Sequence, residues 1–161
     1  NLVPALYFRA LQGLPAPKPV APEQMLMIGR RHIRSNNSWM HNSQRLVKGK
    51  GRCNAMIHPD DGKRLAVADG DDVMVSTPAG TITLPAWLCD DIMPGVISVP
   101  HGWGHDREGV QLGVARRVAG QSVNDIIGSN RVEAVTAMAQ LNGIPVKVEP
   151  ATAAKSQKKA G

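Results

Sequence analysis

The residues with the clearest chemistry lie in one short segment, residues 29–42. It holds three arginines, two histidines, three asparagines, two serines and a tryptophan, and almost nothing that builds a hydrophobic core. A guanidinium group fits phosphate oxygens, and an asparagine amide donates and accepts hydrogen bonds along the edge of a heterocycle. Tryptophan adds a flat face for stacking. The segment therefore predicts a binding loop for a nucleotide-like ligand; the alternative is a solvated loop whose Asn and Ser cap turns.

The charge of the chain is unevenly distributed. The net charge is +6 and the pI is about 9.8, which favours an anionic partner. No acidic residue lies between Glu23 and Asp60, whereas seven aspartates lie from Asp60 to Asp91. A nonspecific nucleic-acid-binding protein would carry a more uniform basic coat.

A second candidate segment is residues 101–105, which hold two histidines, two glycines and a tryptophan. Gly102 and Gly104 allow backbone N–H groups to approach a ligand, with His101 and Trp103 flanking it. The histidines could also contribute to a metal site, for which the possible partners are His58, Cys53 and Cys89. The usual paired spacing of zinc ligands is missing, and both cysteines lie in expected strands, so we predict no metal site.

The chain shows no motif of a complete catalytic site. No Gly-x-Ser-x-Gly, His-Glu-x-x-His or phosphate-loop motif is present. The aspartate pairs at 60–61, 71–72 and 90–91 stand beside proline or glycine, where caps and hydrated turns are common. We therefore predict recognition chemistry and no catalytic residues in this chain.

Composition and patterning predict a small barrel with an aliphatic core. Hydrophobic residues make up 42% of the 161 residues, but aromatic residues only 3%. Short strands are predicted at 25–28, 53–57, 73–77, 81–88, 96–99 and 144–148, a helix from Pro59 or Asp60, and helical character at 132–141. Residues 1–23 are predicted as a linker, 24–150 as the barrel domain, and 151–161 as a disordered basic tail.

The cysteine count and the lengths of the apolar runs bear on the cellular compartment. Two cysteines are too few for a disulfide framework, and neither a signal peptide nor a run of roughly 18 apolar residues is present. We expect a soluble protein of the cytoplasm. Because the chain opens on Asn1 rather than Met, we also expect a fragment of a longer protein.

A series of motifs between residues 25 and 149 carries a family resemblance. In order, they are Gly29-Arg30-Arg31, Asn37-Ser38-Trp39, His58-Pro59-Asp60-Asp61, Asp69-Gly70-Asp71-Asp72-Val73, Gly80, Pro94-Gly95-Val96, Trp103-Gly104, Ser122-Val123-Asn124-Asp125 and Asn142-Gly143. The chain resembles the C-terminal dinucleotide-binding domain of molybdopterin oxidoreductases, a family that includes formate dehydrogenases, nitrate reductases and dimethyl sulfoxide reductase. Its 101–105 segment is similar to members near acetylene hydratase or formate dehydrogenase.

The resemblance implies a mainly β fold with short helices, the double-psi β-barrel of the aspartate-decarboxylase-like type. It also implies binding of the molybdopterin guanine dinucleotide arms of a molybdenum or tungsten bis-cofactor, with the metal ligated by another domain. The partners would be the remaining domains, or the large subunit, of the oxidoreductase. The implied site residues are Arg30, Arg31, Ser35, Asn36, Asn37, Ser38 and Trp39 around the pyrophosphate and pterin, His101, Gly102 and Trp103 as an opposing wall, and Asn124 and Asn142 as amide partners of the dinucleotide.

Two alternatives stay open. The basic loop and the Lys-rich tail would also suit a nucleic-acid-binding β-barrel, whose affinity should fall steeply with salt. A self-processing barrel enzyme would need a Gly-Ser junction for its pyruvoyl group, and Gly128-Ser129 is the one such dipeptide.

Overall fold

The computed structural model describes residues 3–14, 16, 19–133 and 135–151. Its strands are β1 (Gln24–Arg30), β2 (Ala55–Ile57), β3 (Asp72–Thr77), β4 (Gly80–Leu88), β5 (Val96–Pro100) and β6 (Ile144–Pro150). Its α-helices are α1 (Ala5–Gln12), α2 (Gln44–Val47), α3 (Pro59–Leu65) and α4 (Gly113–Arg117), and 3₁₀ turns span Trp39–Asn42 and Val123–Ile126.

The six strands form a closed barrel in the order β1-β5-β2-β4-β3-β6. The pairs β1–β5 and β2–β4 are parallel, and the other four pairs are antiparallel. Exchanging β1 with β4, β2 with β5 and β3 with β6 gives the same six pairs with the same directions. The barrel therefore consists of two topologically equivalent halves, β1–β3 and β4–β6. The predicted double-psi β-barrel is confirmed.

The barrel interior is aliphatic, as the composition predicted. Along β4 the residues alternate between buried and exposed, with Ile82, Leu84 and Ala86 inside. Opposite them, Val73 and Val75 of β3 are fully buried. This period-two alternation is what the sequence showed, because successive side chains of a strand point to opposite faces.

The structure confirms the six predicted strands to within two residues at each end, but Cys53 and Cys89, predicted in strands, lie just before β2 and just after β4. It also confirms the helix at Pro59, where the His58 side chain accepts a hydrogen bond from the Asp60 N–H. The segment predicted as a linker contains α1, none of whose residues is buried. The predicted tail lies outside the described residues, apart from Ala151. Among the described residues, no helix is long and apolar enough to cross a membrane.

The helical character predicted for 132–141 is wrong. The described residues of this segment, 132–133 and 135–141, form a turn closed by a bridge between Val132 and Ala139. The Glu133 carboxylate accepts hydrogen bonds from the backbone N–H groups of Val135 and Thr136, at 2.9 and 2.6 Å. Such local side-chain bonds compete with the helical pattern for the same backbone donors.

The strand directions bring the long connections to one end of the barrel. The parallel strands β1 and β5 both end there, and β2, β4 and β6 all begin there. We call this end the loop rim; its connections are residues 31–54, 78–79 and 101–143. Helix α3 lies in the connection at the opposite end. All the predicted site residues beyond Arg30 therefore belong to the loop rim.

Candidate functional site

A cavity of ≈ 660 Å³ lies in the loop rim, between the segment after β1 and the segment after β5. It is lined by Arg31, His32, Ile33, Ser35, Asn36, Asn37, Met40 and His101. Five of these residues were predicted from the sequence. The two candidate segments, about 60 positions apart in the chain, thus contribute to one concave surface.

The turn at Asn36 and Asn37 shapes the cavity wall. Both residues have positive φ angles, 43° and 61°. Asparagine is among the few residues other than glycine that adopt this left-handed conformation readily. The turn is closed by the Trp39 N–H, which donates to the Asn36 carbonyl at 3.2 Å. The asparagines are therefore explained in part by backbone geometry, beside any role in binding.

The two segments are held together by backbone contacts. The His101 N–H donates to the Arg30 carbonyl at 3.0 Å, which extends the β1–β5 pairing. Gly102 has a φ of 93°, and a Cβ atom there would lie 1.8 Å from the Asn37 carbonyl oxygen. Only glycine allows this approach, so the segments meet at a fixed distance.

The two adjacent arginines have different environments. The guanidinium of Arg30 donates to the carbonyl and side-chain oxygens of Asn54, at 3.0 and 2.6 Å, and lies 5.7 Å from the ring centre of Trp87. Burial lowers the pKa of Arg30, and Cys53 acts in the opposite direction. Arg31 is exposed and donates to the Asn37 side-chain oxygen. Arg30 is thus engaged with the barrel wall, whereas Arg31 lines the cavity.

The site carries positive charge without a nearby carboxylate. Among the described residues, no Asp or Glu oxygen lies within 4.0 Å of Arg30, Arg31, Arg34 or Arg52; the ion pairs lie elsewhere. Burial, and then the charge of Arg31, lower the pKa of His101. Burial also lowers the pKa of His32, and the charges of Arg52, Arg30 and Arg34 lower it further. An anion in the cavity would relieve this repulsion.

A buried histidine pair, not predicted from the sequence, lies behind the cavity. His41 Nε2 is 2.8 Å from Ser35 Oγ, and His41 Nδ1 is 2.8 Å from His105 Nε2. The His41 ring stacks on Trp103 with centroids 3.9 Å apart. Both histidines belong to the two segments singled out in the sequence, but their burial depends on packing between segments.

The other predicted residues occupy different positions. Trp103 is buried against His41 rather than lining the cavity, whereas Trp39 is 82% exposed. Asn142 accepts a hydrogen bond from the Gly29 N–H through its side-chain oxygen, at 2.7 Å. Asn124 is exposed in the Val123–Ile126 turn, and neither it nor Asn142 lines the cavity.

Comparisons with known proteins bear on what this site binds. The model of one protein family, the molydopterin (molybdopterin) dinucleotide binding domain, matches residues 25–145, which is most of the chain. The chain belongs to this family. It is therefore a domain that binds a molybdopterin cofactor, and the resemblance found in the sequence motifs is confirmed.

Two relatives and one solved structure give the family match more detail. The chain is 30% identical over 110 residues to a tetrathionate reductase component of Salmonella typhimurium, covering 58% of this chain and 11% of that protein. It is 33% identical over 99 residues to the molybdopterin-containing component of the arsenate respiratory reductase of a Shewanella species, covering 59% and 11%. Acetylene hydratase from Pelobacter acetylenicus superposes with a TM-score of 0.67 at 19% identity, covering 80% of this chain and 18% of that one, which supports the fold.

The chain spans 11–14% of the length of the curated relatives it matches. These relatives are reductases of tetrathionate and arsenate, so a particular likeness to formate dehydrogenase stays a prediction.

Proposed function

We propose that the loop rim holds the pyrophosphate and pterin of a molybdopterin guanine dinucleotide, within a larger oxidoreductase whose other domains enclose the rest of the cofactor. The observation that carries this proposal is the cavity lined by Arg31 and backed by further arginines without carboxylate partners among the described residues. Several positive charges close together are unfavourable unless an anion compensates them. A pyrophosphate, with two adjacent anionic groups, matches that requirement.

Each lining residue has a role suited to its chemistry. Arg31 would pair with phosphate oxygens, since a charge-assisted hydrogen bond from a guanidinium is among the stronger polar contacts. Asn36, Asn37 and His101 would offer hydrogen bonds to the pyrophosphate or pterin. Trp39 and Ile33, which are 82% and 91% exposed beside the cavity, would cover apolar parts of the ligand or of a neighbouring domain. Such exposure of large apolar side chains is typical of a surface that is covered in the assembled protein.

The remaining predicted residues would act at the margins of the site. Arg30 would support the site from the barrel wall and add to its positive field. Ser38 would lie with Arg31 around the pyrophosphate and pterin, and Gly102 would shape the opposing wall, with Trp103 packed behind it on His41. The amides of Asn124 and Asn142 would bond the outer dinucleotide. Because Asn142 Oδ1 already accepts the Gly29 N–H, its amide NH₂ is the group that would donate to the ligand.

The bound cofactor would supply the metal-centred redox chemistry, while this chain binds and orients its organic part. We propose molybdenum or tungsten as the metal, ligated from another domain. For the whole protein we propose a molybdopterin-dependent reduction or oxidation, with the tetrathionate and arsenate reductases as guides and a formate-dehydrogenase-like reaction as the alternative. We propose that this protein acts in the cytoplasm.

The test is the cofactor content of the complete enzyme carrying Arg31→Ala. We expect this variant to retain less metal and to release less guanine nucleotide on denaturation than the unaltered enzyme. Arg9→Ala, on the exposed helix α1, removes the same charge away from the cavity and should retain both. Equal metal and guanine content in the Arg31 variant would count against the proposed site.

The alternative of a nucleic-acid-binding barrel is tested separately. A labelled DNA duplex is titrated with the chain at low and at moderate salt. Binding through phosphates should weaken steeply between the two, because contacts with phosphates release counterions. We expect no measurable binding at low salt; tight, salt-sensitive binding that Arg31→Ala and Arg34→Ala reduce would favour the alternative.

A further inference from the structure

A continuous line of hydrogen bonds runs from a buried histidine of the loop rim to the cavity. It joins His105 Nε2 to His41 Nδ1 and His41 Nε2 to Ser35 Oγ, at 2.8 Å in each case. The three residues are 8%, 0% and 2% exposed, yet Ser35 also lines the cavity. A chain of polar groups buried this completely is costly unless each group is bonded, so its geometry is well determined.

The chemistry of His41 restricts this line to two arrangements. Burial lowers the pKa of His41 to about 4; His105 and Arg52 act in the same direction and a hydrogen bond with the Gly102 backbone acts in the opposite one, so the ring is neutral at pH 7. A neutral imidazole donates from one nitrogen and accepts at the other. Either His41 accepts a hydrogen bond from His105 and donates to Ser35, or it accepts from Ser35 and donates to His105.

The two arrangements present different atoms to the cavity. When His41 donates to Ser35 Oγ, the serine hydroxyl hydrogen is available to a ligand. When Ser35 donates to His41, the hydroxyl presents its oxygen lone pairs instead. Only the first arrangement suits an anion, because a phosphate oxygen accepts hydrogen bonds and is repelled by another acceptor.

We propose that the line runs outward: His105 Nε2–H donates to His41 Nδ1, His41 Nε2–H donates to Ser35 Oγ, and the Ser35 hydroxyl donates to a phosphate oxygen in the cavity. His41 and His105 are thus positioning residues, and Ser35 is the group that touches the ligand. This inference rests on the proposed function, since it requires an anion beside Arg31. Hydrogen bonds in series also polarise one another, which makes the terminal hydroxyl a better donor.

The first test measures the affinity of the 161-residue chain for pyrophosphate by calorimetry. His105→Leu removes the donor to His41, which allows the line to reverse, and Ser35→Ala removes the terminal hydroxyl. Each is expected to weaken binding about tenfold, because in each case the hydrogen bond from Ser35 to the charged pyrophosphate is lost. His105→Gln is the matched control, because its amide N–H can still donate to His41 Nδ1, and it should restore most of the affinity. Amide NMR spectra establish that each variant keeps the barrel fold.

The second test reads the arrangement directly. In the ¹⁵N spectrum of the histidine rings with pyrophosphate bound, His41 Nε2 should be the protonated nitrogen and Nδ1 the unprotonated one. A merely structural pair of hydrogen bonds would allow the proton on either ring nitrogen, whereas the proposed direction allows it only on Nε2. Protonation at His41 Nδ1 would overturn the proposed direction.

The outcomes separate the two proposals. If Arg31→Ala weakens pyrophosphate binding while Ser35→Ala and His105→Leu leave it unchanged, the anion site stands and the role of the histidine line is overturned. If the unaltered chain fails to bind pyrophosphate, the anion site in this cavity is overturned, and the function of the line falls with it.

Discussion

The backbone of Gly102 packs directly against the carbonyl group of Asn37, with 1.8 Å between that oxygen and the place a Cβ atom would occupy. This contact joins the segment after β5 to the segment after β1. Arg31, whose guanidinium donates to the Asn37 side chain, and His101, the residue before Gly102, both line the cavity. The shape of the cavity therefore depends on a position that carries no side chain.

Substitution of Gly102 is expected to destabilise the protein strongly. Gly102→Ala combines a positive φ with a steric clash against backbone, and we expect a loss of about 3 kcal/mol or more in the free energy of unfolding. Gly70→Ala is the matched control: its φ is 85°, but a Cβ atom there would meet nothing within 4 Å. That variant should lose about 1 kcal/mol, the cost of the backbone conformation alone. Urea denaturation measures both, and equal losses would show that the contact with Asn37 adjusts easily.

The stability of the protein should depend on the ionisation of His41. Its pKa is about 4 in the folded chain against 6.5 in the unfolded one, so the unfolded state binds the proton first as the pH falls. The stabilisation is complete above pH 6.5 and is lost progressively down to about pH 4, amounting to about 3 kcal/mol. Urea denaturation at pH 7, 5.5 and 4 measures it.

Other histidines also change the stability over this pH range. The contribution of His41 is therefore isolated by comparing the unaltered protein with the variant His41→Gln. The pKa values of His32, His101 and His105 are also lowered, chiefly by burial, and add losses of the same sign. The variant should keep those contributions and show a shallower pH dependence. Parallel curves for the two proteins would contradict the assignment to His41.

An anion in the cavity should raise the pKa of His101. Burial and the charge of Arg31 lower that pKa in the structure, and a bound pyrophosphate would offset the charge. An NMR titration of the His101 ring with and without pyrophosphate measures the change. The ring signal of His58, which caps α3 at the opposite end of the barrel, should not shift on adding pyrophosphate. An unchanged pKa of His101 at saturating pyrophosphate would place the anion elsewhere.

Asn142 offers a way to separate stability from binding. Asn142→Ala removes the acceptor of the Gly29 N–H and should cost about 1 kcal/mol of unfolding free energy. Asn142→Asp keeps an acceptor oxygen and should retain stability, but it replaces the NH₂ donor with a negative charge. In the complete enzyme it should therefore lower the content of bound dinucleotide. Full retention in Asn142→Asp would indicate that the residue acts on the fold alone.

The fold was largely predictable because its signals are local. The alternation of Ile82, Leu84 and Ala86 identifies a half-buried strand from its own sequence, and Pro59 after His58 identifies a helix start. The turn at 132–141 was not predictable in the same way. Its conformation depends on Glu133 bonding its own backbone, which competes with a helix that the composition allows.

The site was predictable in its location and less so in its detail. The types of residues in 29–42 and 101–105 indicated where a ligand would bind, and the strand directions place both segments at the loop rim. The pairing of His41 with His105 depends on contacts across 64 positions. Likewise, nothing local distinguishes the buried Trp103 from the exposed Trp39.

Each of the six strands has a hydrogen-bonded neighbour on both sides. A sheet without a free edge cannot be extended by a strand from another molecule or from another part of a larger protein. Neighbouring domains must therefore meet this unit through side chains and loops. For the same reason, residues of the rim can be exchanged during evolution, and ligand preference altered, while the hydrogen bonding of the barrel beneath stays intact.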